Sequence, residues 1–275
     1  MSPALIAYRL LTRLLEPLAP RLLDARAKQG KENPARVDER LGLASAARPP
    51  GDLVWLHGVS VGETLSLLPV VERLRDKRPD LSVLVTSGTL TSASLLARRL
   101  PPGVLHQFAP VDTPGAVRAF LDHWRPAAAV FVESELWPNL ILEARRRGVT
   151  LILASARITE KTVDGWRRFP AAAREIVSAF DRVLPQDETS AGRLESLGAH
   201  IDGHVNLKLA GAAPPHDPGA FTRLSAAIGD RPVVVAASTH DGEEIALVRA
   251  LDKLTDRLWD SLTPLLPPPP VRGRG

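Results

Sequence analysis

The stretch "LVWLHGVSVGETLSLLPVV", Leu53 to Val71, decides the fold. Its opening apolar run is too continuous for a strand with one wet face, so it predicts a strand covered on both sides. A glycine-containing turn follows, and a helix opens at Glu63. Turns of this form commonly cradle a phosphate at the helix start, yet a carboxylate at residue 63 would repel one. The stretch also lacks the Gly-Lys-Ser/Thr of a phosphate loop and the G-x-G-x-x-G dinucleotide fingerprint. Gly58 and Gly62 permit a tight turn, Ser60 offers a hydrogen bond, and Glu63 stands where the helix dipole attracts negative charge. A carboxylate at a strand exit is placed to accept a proton from an alcohol, which makes Glu63 a candidate general base. An acid in the first helical turn also serves stability alone, and spacing does not separate the two roles.

Working outward, the same grammar repeats. "LSVLVTSG" (81–88), "VLHQFAP" (104–110), "AAAVFVES" (127–134), "VTLILASAR" (149–157) and "DRVLPQ" (181–186) are short apolar runs, each followed by helical sequence. At least six strand–helix units predict an α/β fold, a parallel doubly wound sheet with helices on both faces. Ligands of such sheets bind beyond the carboxyl ends of the strands. The polar strand exits are therefore the candidate sites. In "TSGTLTS" (86–92), Ser87, Gly88 and Thr89 could form an anion or sugar cradle or an ordinary capped helix start. "ESELWPN" (133–139) sets Glu133 and Glu135 two residues apart. Arg157 and Lys161 follow the fifth strand and could hold phosphate or simply be solvated. The histidines show no metal-ligand spacing, so no metal is expected.

With 275 residues, 44% of them hydrophobic, the chain can build one large or two ordinary cores. It has no cysteine, which excludes disulfides and thiolate metal sites. The net charge of +4 is concentrated at the start: residues 1–31 hold six Lys/Arg and two acids, and the rest balances at 29 of each. With aromatics at only 4% as well, a nucleic-acid partner is not expected. In the same segment Leu11, Leu14, Leu15, Leu18 and Leu22 recur at helical spacing opposite Arg9, Arg13 and Glu16. Such a helix suits an anionic membrane surface, or packing on the protein's own core; charges and prolines keep it from spanning a bilayer. Near the other end, "AGAAPPHDPGA" (210–220) reads as a linker, and "RPVVVAASTHDGEE" (231–244) as one strand and a helix start of a second α/β domain. The chain finishes in the low-complexity "TPLLPPPPVRGRG".

Taken together, "WLHGVSVGET", "VTSGTLTSA", "FAPVDTP", "VESELWPNLI", "NLK" (206–208) and "STHDGEE" (238–244), with "ERLG" (39–42) and the leucine–arginine helix, resemble the 3-deoxy-D-manno-octulosonic acid (Kdo) transferases of lipid A biosynthesis. The resemblance covers about residues 4–245 and implies a GT-B glycosyltransferase with two Rossmann-like domains. It implies transfer of Kdo from CMP-Kdo to a hydroxyl of the lipid A precursor, a tetra-acylated disaccharide bisphosphate, with inversion and without a metal or other cofactor. Glu63 would be the base. Ser60, Gly62, Ser87, Gly88, Thr89, Glu133, Glu135, Arg157 and Lys161 would line the acceptor side, and Lys208, Ser238, Thr239, His240 and Glu243 the donor side. The expected location is the cytoplasmic face of the bacterial inner membrane, against its anionic surface. The expected organisation is a membrane-associating segment at 1–40, an acceptor domain at 50–209, a linker at 210–231, the start of a donor domain at 232–258 and a proline-rich tail at 259–275. The "RHPERF"-like and "GGS...HNPLE" segments that hold the nucleotide in the family are not found after Glu244, so the chain is expected to be a truncated member that binds donor poorly. Two other classes remain open on the residues alone: a non-catalytic glycolipid-binding fragment, and another GT-B protein such as a sugar-nucleotide epimerase.

Overall fold

The computed structural model describes residues 1–210, 216–231 and 233–251. The chain divides into two units, Met1–Ala213 and Pro214–Gly275. The proline-rich tail expected at 259–275 lies outside the described residues.

The first unit begins with three helices, α1 (Pro3–Leu15), α2 (Ala19–Lys28) and α3 (Val37–Arg40). Strands and helices then alternate: β1 (Leu53–His57), α4 (Val61–Lys77), β2 (Ser82–Ser87), α5 (Leu90–Arg99), β3 (Leu105–Phe108), α6 (Pro114–Trp124), β4 (Ala128–Val132), α7 (Pro138–Arg146), β5 (Thr150–Ala156), α8 (Glu160–Arg167), α9 (Pro170–Val177), β6 (Arg182–Pro185) and α10 (Glu188–Ser196). The six strands are all parallel, in the order β3-β2-β1-β4-β5-β6. This is the doubly wound sheet that the repeated apolar runs predict. After β3 the winding reverses, so β1 and β4 are neighbours whose chains leave in opposite directions, and a crevice opens between their exits.

Alternation along each strand feeds two cores. Leu53, Trp55, Ala129 and Phe131 join the cluster of α1, α6, α7 and α9, while Leu56, Val83, Val85 and Val132 join that of α4 and α5. Trp55 packs against Phe120 and Phe131 with ring centroids 4.9 and 5.0 Å away. Its indole N–H is satisfied by Thr86 Oγ1 at 2.8 Å, and Trp124 Nε1 donates to Gln107 Oε1 at 2.7 Å. Buried aromatic polar atoms thus find partners, as a dense core requires.

The first helix is amphipathic as expected, but its polar side faces the fold. Tyr8 donates to Asp112 Oδ2 at 2.9 Å, Thr12 Oγ1 accepts from Asn139 Nδ2 at 3.0 Å and Glu16 accepts from Gly115 N at 3.1 Å. Leu5 and Leu23 are buried, whereas Leu11, Leu14, Leu15, Leu18 and Leu22 are exposed. Among the described residues no helix is long and apolar enough to cross a membrane.

The second unit corrects two expectations. Residues 218–228, read as linker, form a helix, α11 (Pro218–Ile228), because Asp217 caps it by accepting from Gly219 N and Ala220 N while Pro218 sits at the first helical position. Residues 233–238, read as a strand, form no strand, and Val233, Val234 and Val235 are exposed. Among the described residues of this unit no second strand stands beside the run to complete its hydrogen bonds. The helix expected after them is present at 243–251.

Candidate active site

The exits of β1 and β4 build the site. Ser60 ends the turn after β1 in extended conformation and caps α4, accepting from Glu63 N at 3.4 Å. The Glu63 side chain folds back over the turn: Oε1 accepts from Ser60 Oγ at 2.6 Å and Oε2 from Val59 N at 2.7 Å. The carboxylate thereby helps cap the helix and is also half-buried at the crevice. One bond per oxygen fixes its direction and leaves each a free lone pair.

Gly58, not Gly62, makes this turn possible. A Cβ at Gly58 would meet Glu63 Cβ at 3.0 Å and Val132 Cγ2 at 3.2 Å. Gly62 lies in the first turn of α4 with open space around it, so the loop-shaping role expected of it is not required by the geometry. The β2 exit is knitted to the same turn through Gly88 N to Val59 O at 3.1 Å. Ser87 turns its hydroxyl to His106 Nε2 at 2.9 Å, and Thr89 forms a capping box with Ser92. The capped helix start read in "TSGTLTS" forms, and the hydroxyls of Ser87 and Thr89 bond within the fold.

At the β4 exit Glu133 adopts a left-handed backbone, φ +60°, a conformation costly for a side chain of this kind. Its Oε1 lies 2.5 Å from Lys208 Nζ. Lys208 was expected on the donor side; it sits in the short turn Leu207–Leu209, capped by Asn206 and anchored by Leu207 N to Ser155 Oγ at 3.3 Å. Glu135 Oε2 accepts from Trp137 Nε1 at 2.5 Å and lies 3.8 Å from His57 Nε2. Burial, together with the charges of Glu63 and Glu133, raises the Glu135 carboxyl to about 7 against the indole bond that lowers it. The structure therefore brings Glu63, Glu133 and Glu135 into one electrostatic cluster with Lys208 as counter-charge. A carboxyl raised in this way at a strand-exit crevice can exchange a proton near neutral pH.

Four further residues escaped the sequence reading. His57 is 1% exposed, and burial lowers its imidazole to about 3. Thr86 Oγ1 accepts from Trp55 and lies 2.8 Å from His57 Nδ1; a hydroxyl proton donated there assigns the ring hydrogen to Nε2. Asp112, in "FAPVDTP", accepts from Tyr8, from Asn139 N at 3.1 Å and from Leu140 N at 2.8 Å, closing the start of α7. Arg40, in "ERLG", is half-buried beside Glu32 and donates to the Ala109 carbonyl. Each could have been suspected only from its place within a longer motif. Arg157 and Lys161 are exposed beyond β5. Among the described residues no three His, Asp or Glu side chains converge as a metal site.

In the second unit His240 N donates to Glu243 Oε2 at 2.9 Å, Thr239 Oγ1 bonds Glu244, and Ser238 has φ +58°. These bonds form a compact helix start.

A family model described as 3-deoxy-D-manno-octulosonic-acid transferase (kdotransferase) matches residues 35–210. The chain belongs to the Kdo transferase family. A relative from Arabidopsis thaliana, a probable mitochondrial 3-deoxy-D-manno-octulosonic acid transferase, is 34% identical over 97% of this chain and 62% of its own length. The 3-deoxy-D-manno-octulosonic acid transferase of Rickettsia bellii is 31% identical over 96% of this chain and 63% of its own. This chain thus spans less than two thirds of the length of either Kdo transferase. Among solved structures, the UDP-GlcNAc 2-epimerase of Neisseria meningitidis is 13% identical, with a TM-score of 0.42 over 57% of this chain and 47% of that one. The matched span holds the whole carboxylate cluster and Lys208.

Proposed function

We propose that this Kdo transferase family member carries the acceptor-binding half of a reaction that moves Kdo from CMP-Kdo to a hydroxyl of the lipid A precursor. Glu63 takes the hydroxyl proton as that oxygen bonds to the anomeric carbon. The bond from that carbon to the CMP phosphate oxygen breaks with its electron pair leaving on CMP, and attack opposite the leaving group inverts the centre. The observation that carries this reading is the Glu63 carboxylate, held by Val59 N and Ser60 Oγ at the β1–β4 crevice with lone pairs to spare. General bases of this kind contribute about 10²- to 10⁴-fold.

Glu133, pinned by Lys208, organises the crevice wall, and the buried Glu135 limits how much further charge it accepts. The exposed Arg157 and Lys161 are suited to an acceptor phosphate. Ser238, Thr239, His240 and Glu243 are the donor-side residues of the second unit. The exposed leucines of α1 and α2, with Arg9, Arg13 and Arg21 close by in sequence, support attachment to an anionic leaflet, at the cytoplasmic face of the inner membrane.

Incubation with CMP-Kdo and the lipid A precursor, followed by mass analysis for added Kdo, tests the assignment. Glu63→Gln is expected to cut transfer at least about 10²-fold while acceptor binding stays unchanged. Transfer by the variant at the parent rate would remove Glu63 from the mechanism.

A further inference from the structure

A cavity of about 280 Å³ lies beyond the ends of β1, β2 and β3, next to the carboxylate cluster. Val59, Val111, Trp137 and Leu140 give it apolar walls, and Arg40 and His57 stand in its lining. Two hydrogen-bond donors there lack partners. His57 Nε2 is buried with no hydrogen bond, and so is Arg40 Nε, whose nearest acid is Glu32 Oε2 at 3.6 Å. Buried donors left unpaired are unfavourable, the more so where charge is involved, so a native fold that keeps both in one cavity points to an acceptor that fills them.

Three acids stand near these groups, and none cancels the donors: Glu32, 3.6 Å from Arg40 Nε, already accepts from Arg26 Nε at 2.8 Å. Asp112 is spent on Tyr8, Asn139 and Leu140, and burial raises its carboxyl from the usual range. Glu135 is the carboxyl that its surroundings hold closest to neutrality. The neutral imidazole and the guanidinium thus present N–H groups with one fixed positive charge, the recognition pattern of an oxyanion. Val59 ties the cavity to the base, since it lines the wall and also donates its N–H to Glu63 Oε2 at 2.7 Å.

We propose that this cavity is an oxyanion subsite in which Arg40 and His57 hold a phosphate monoester of the acceptor, the one closest to the attacking hydroxyl. The assignment rests on the acceptor reading above and adds to it a positioning role. By fixing a phosphate beside the turn that aims Glu63, Arg40 and His57 set where the nucleophilic oxygen comes to rest.

Calorimetric titration of the purified chain with inorganic phosphate, and separately with acetate, tests it. Phosphate is expected to bind the parent protein and to bind at least tenfold more weakly to Arg40→Gln. Because Arg40 also faces Glu32, Val111→Trp serves as a second variant that fills the cavity and leaves the polar network whole; it too should lose at least tenfold. Failure of the parent to bind phosphate, or equal affinity in a folded Val111→Trp, overturns the subsite. Binding of acetate in preference to phosphate overturns the phosphate assignment. Two further titrations use the lipid A precursor with and without the phosphate next to the attacking hydroxyl. Removing that phosphate should weaken binding to the parent tenfold or more and to Arg40→Gln hardly at all. A tenfold loss in both proteins places the phosphate elsewhere and sinks the subsite, while the acceptor reading survives. Arg40-dependent phosphate binding with no binding of either lipid sustains the subsite and sinks the acceptor reading instead.

Discussion

Glu135 shows at the residue scale how the crevice controls charge. Its carboxyl rises from 4.5 to about 7 because burial removes water and because Glu63 and Glu133 already carry negative charge nearby. The folded value is the higher one, so between pH 4.5 and 7 the folded chain binds more protons than the unfolded chain. The stability this group contributes is complete at low pH and is lost as pH rises through about 7. A rise of that size corresponds to at most roughly 3 kcal/mol. Glu135→Gln carries no titrating proton, so denaturant unfolding at pH 5 and pH 8 should show the variant gaining about 1–3 kcal/mol on the parent between the two. Parallel pH profiles for the two proteins would mean that Glu135 titrates as an ordinary surface acid.

At the scale of the element, the β1–α4 turn separates two glycines that look alike in sequence. Gly58→Ala forces a Cβ against Glu63 and Val132, whereas Gly62→Ala meets nothing and improves a helical position. The first change is expected to destabilise by about 1–3 kcal/mol and to shift Glu63, lowering transfer. The second should be neutral or stabilise by up to about 1 kcal/mol. Thermal midpoints of the two variants check this, and a reversed order would show that the turn has another conformation. The helix starts tell a related story. Ser60, Thr89, Thr159, Asp187 and Asp217 each place a side-chain oxygen on the first turn of the helix they precede. The cap at Thr89 was legible because capping is local, whereas Asp217 stood in a stretch read as linker. The contribution of Asp112 was not legible, because it closes the start of α7 from a distant loop.

Over the whole first unit, α1 seats Leu5 in the core, ties Tyr8 and Thr12 to the fold by hydrogen bonds and leaves Leu10, Leu11, Leu14 and Leu15 exposed. Tyr8, Thr12 and Glu16 secure it, so the leucine surface is available for a lipid leaflet. Leu14, 76% exposed, and Leu18 can therefore be changed to glutamate with little effect on folding. In sedimentation with phosphatidylglycerol vesicles, the double variant Leu14→Glu, Leu18→Glu should bind at least about tenfold more weakly than the parent, since it loses apolar burial and gains repulsion from the anionic surface. Unchanged vesicle binding with an unchanged thermal midpoint would assign the leucines to something other than lipid.

The amino-acid sequence by itself determined the six strands, the helices between them and the strand exits as the places where polar residues gather, because strands covered on both faces are written as unbroken apolar runs and caps act within a few residues. Tertiary structure alone decided which exits meet. Only the order β3-β2-β1-β4-β5-β6 makes β1 and β4 neighbours, bringing Glu63 to Glu133 and Glu135, and only the chain's return past β6 brings Lys208 to Glu133. The charge state of Glu135, the unpaired donors of His57 and Arg40 and the outward leucines of α1 likewise depend on burial among residues far apart in the chain, and burial is a property of packed neighbours rather than of any local run of residues.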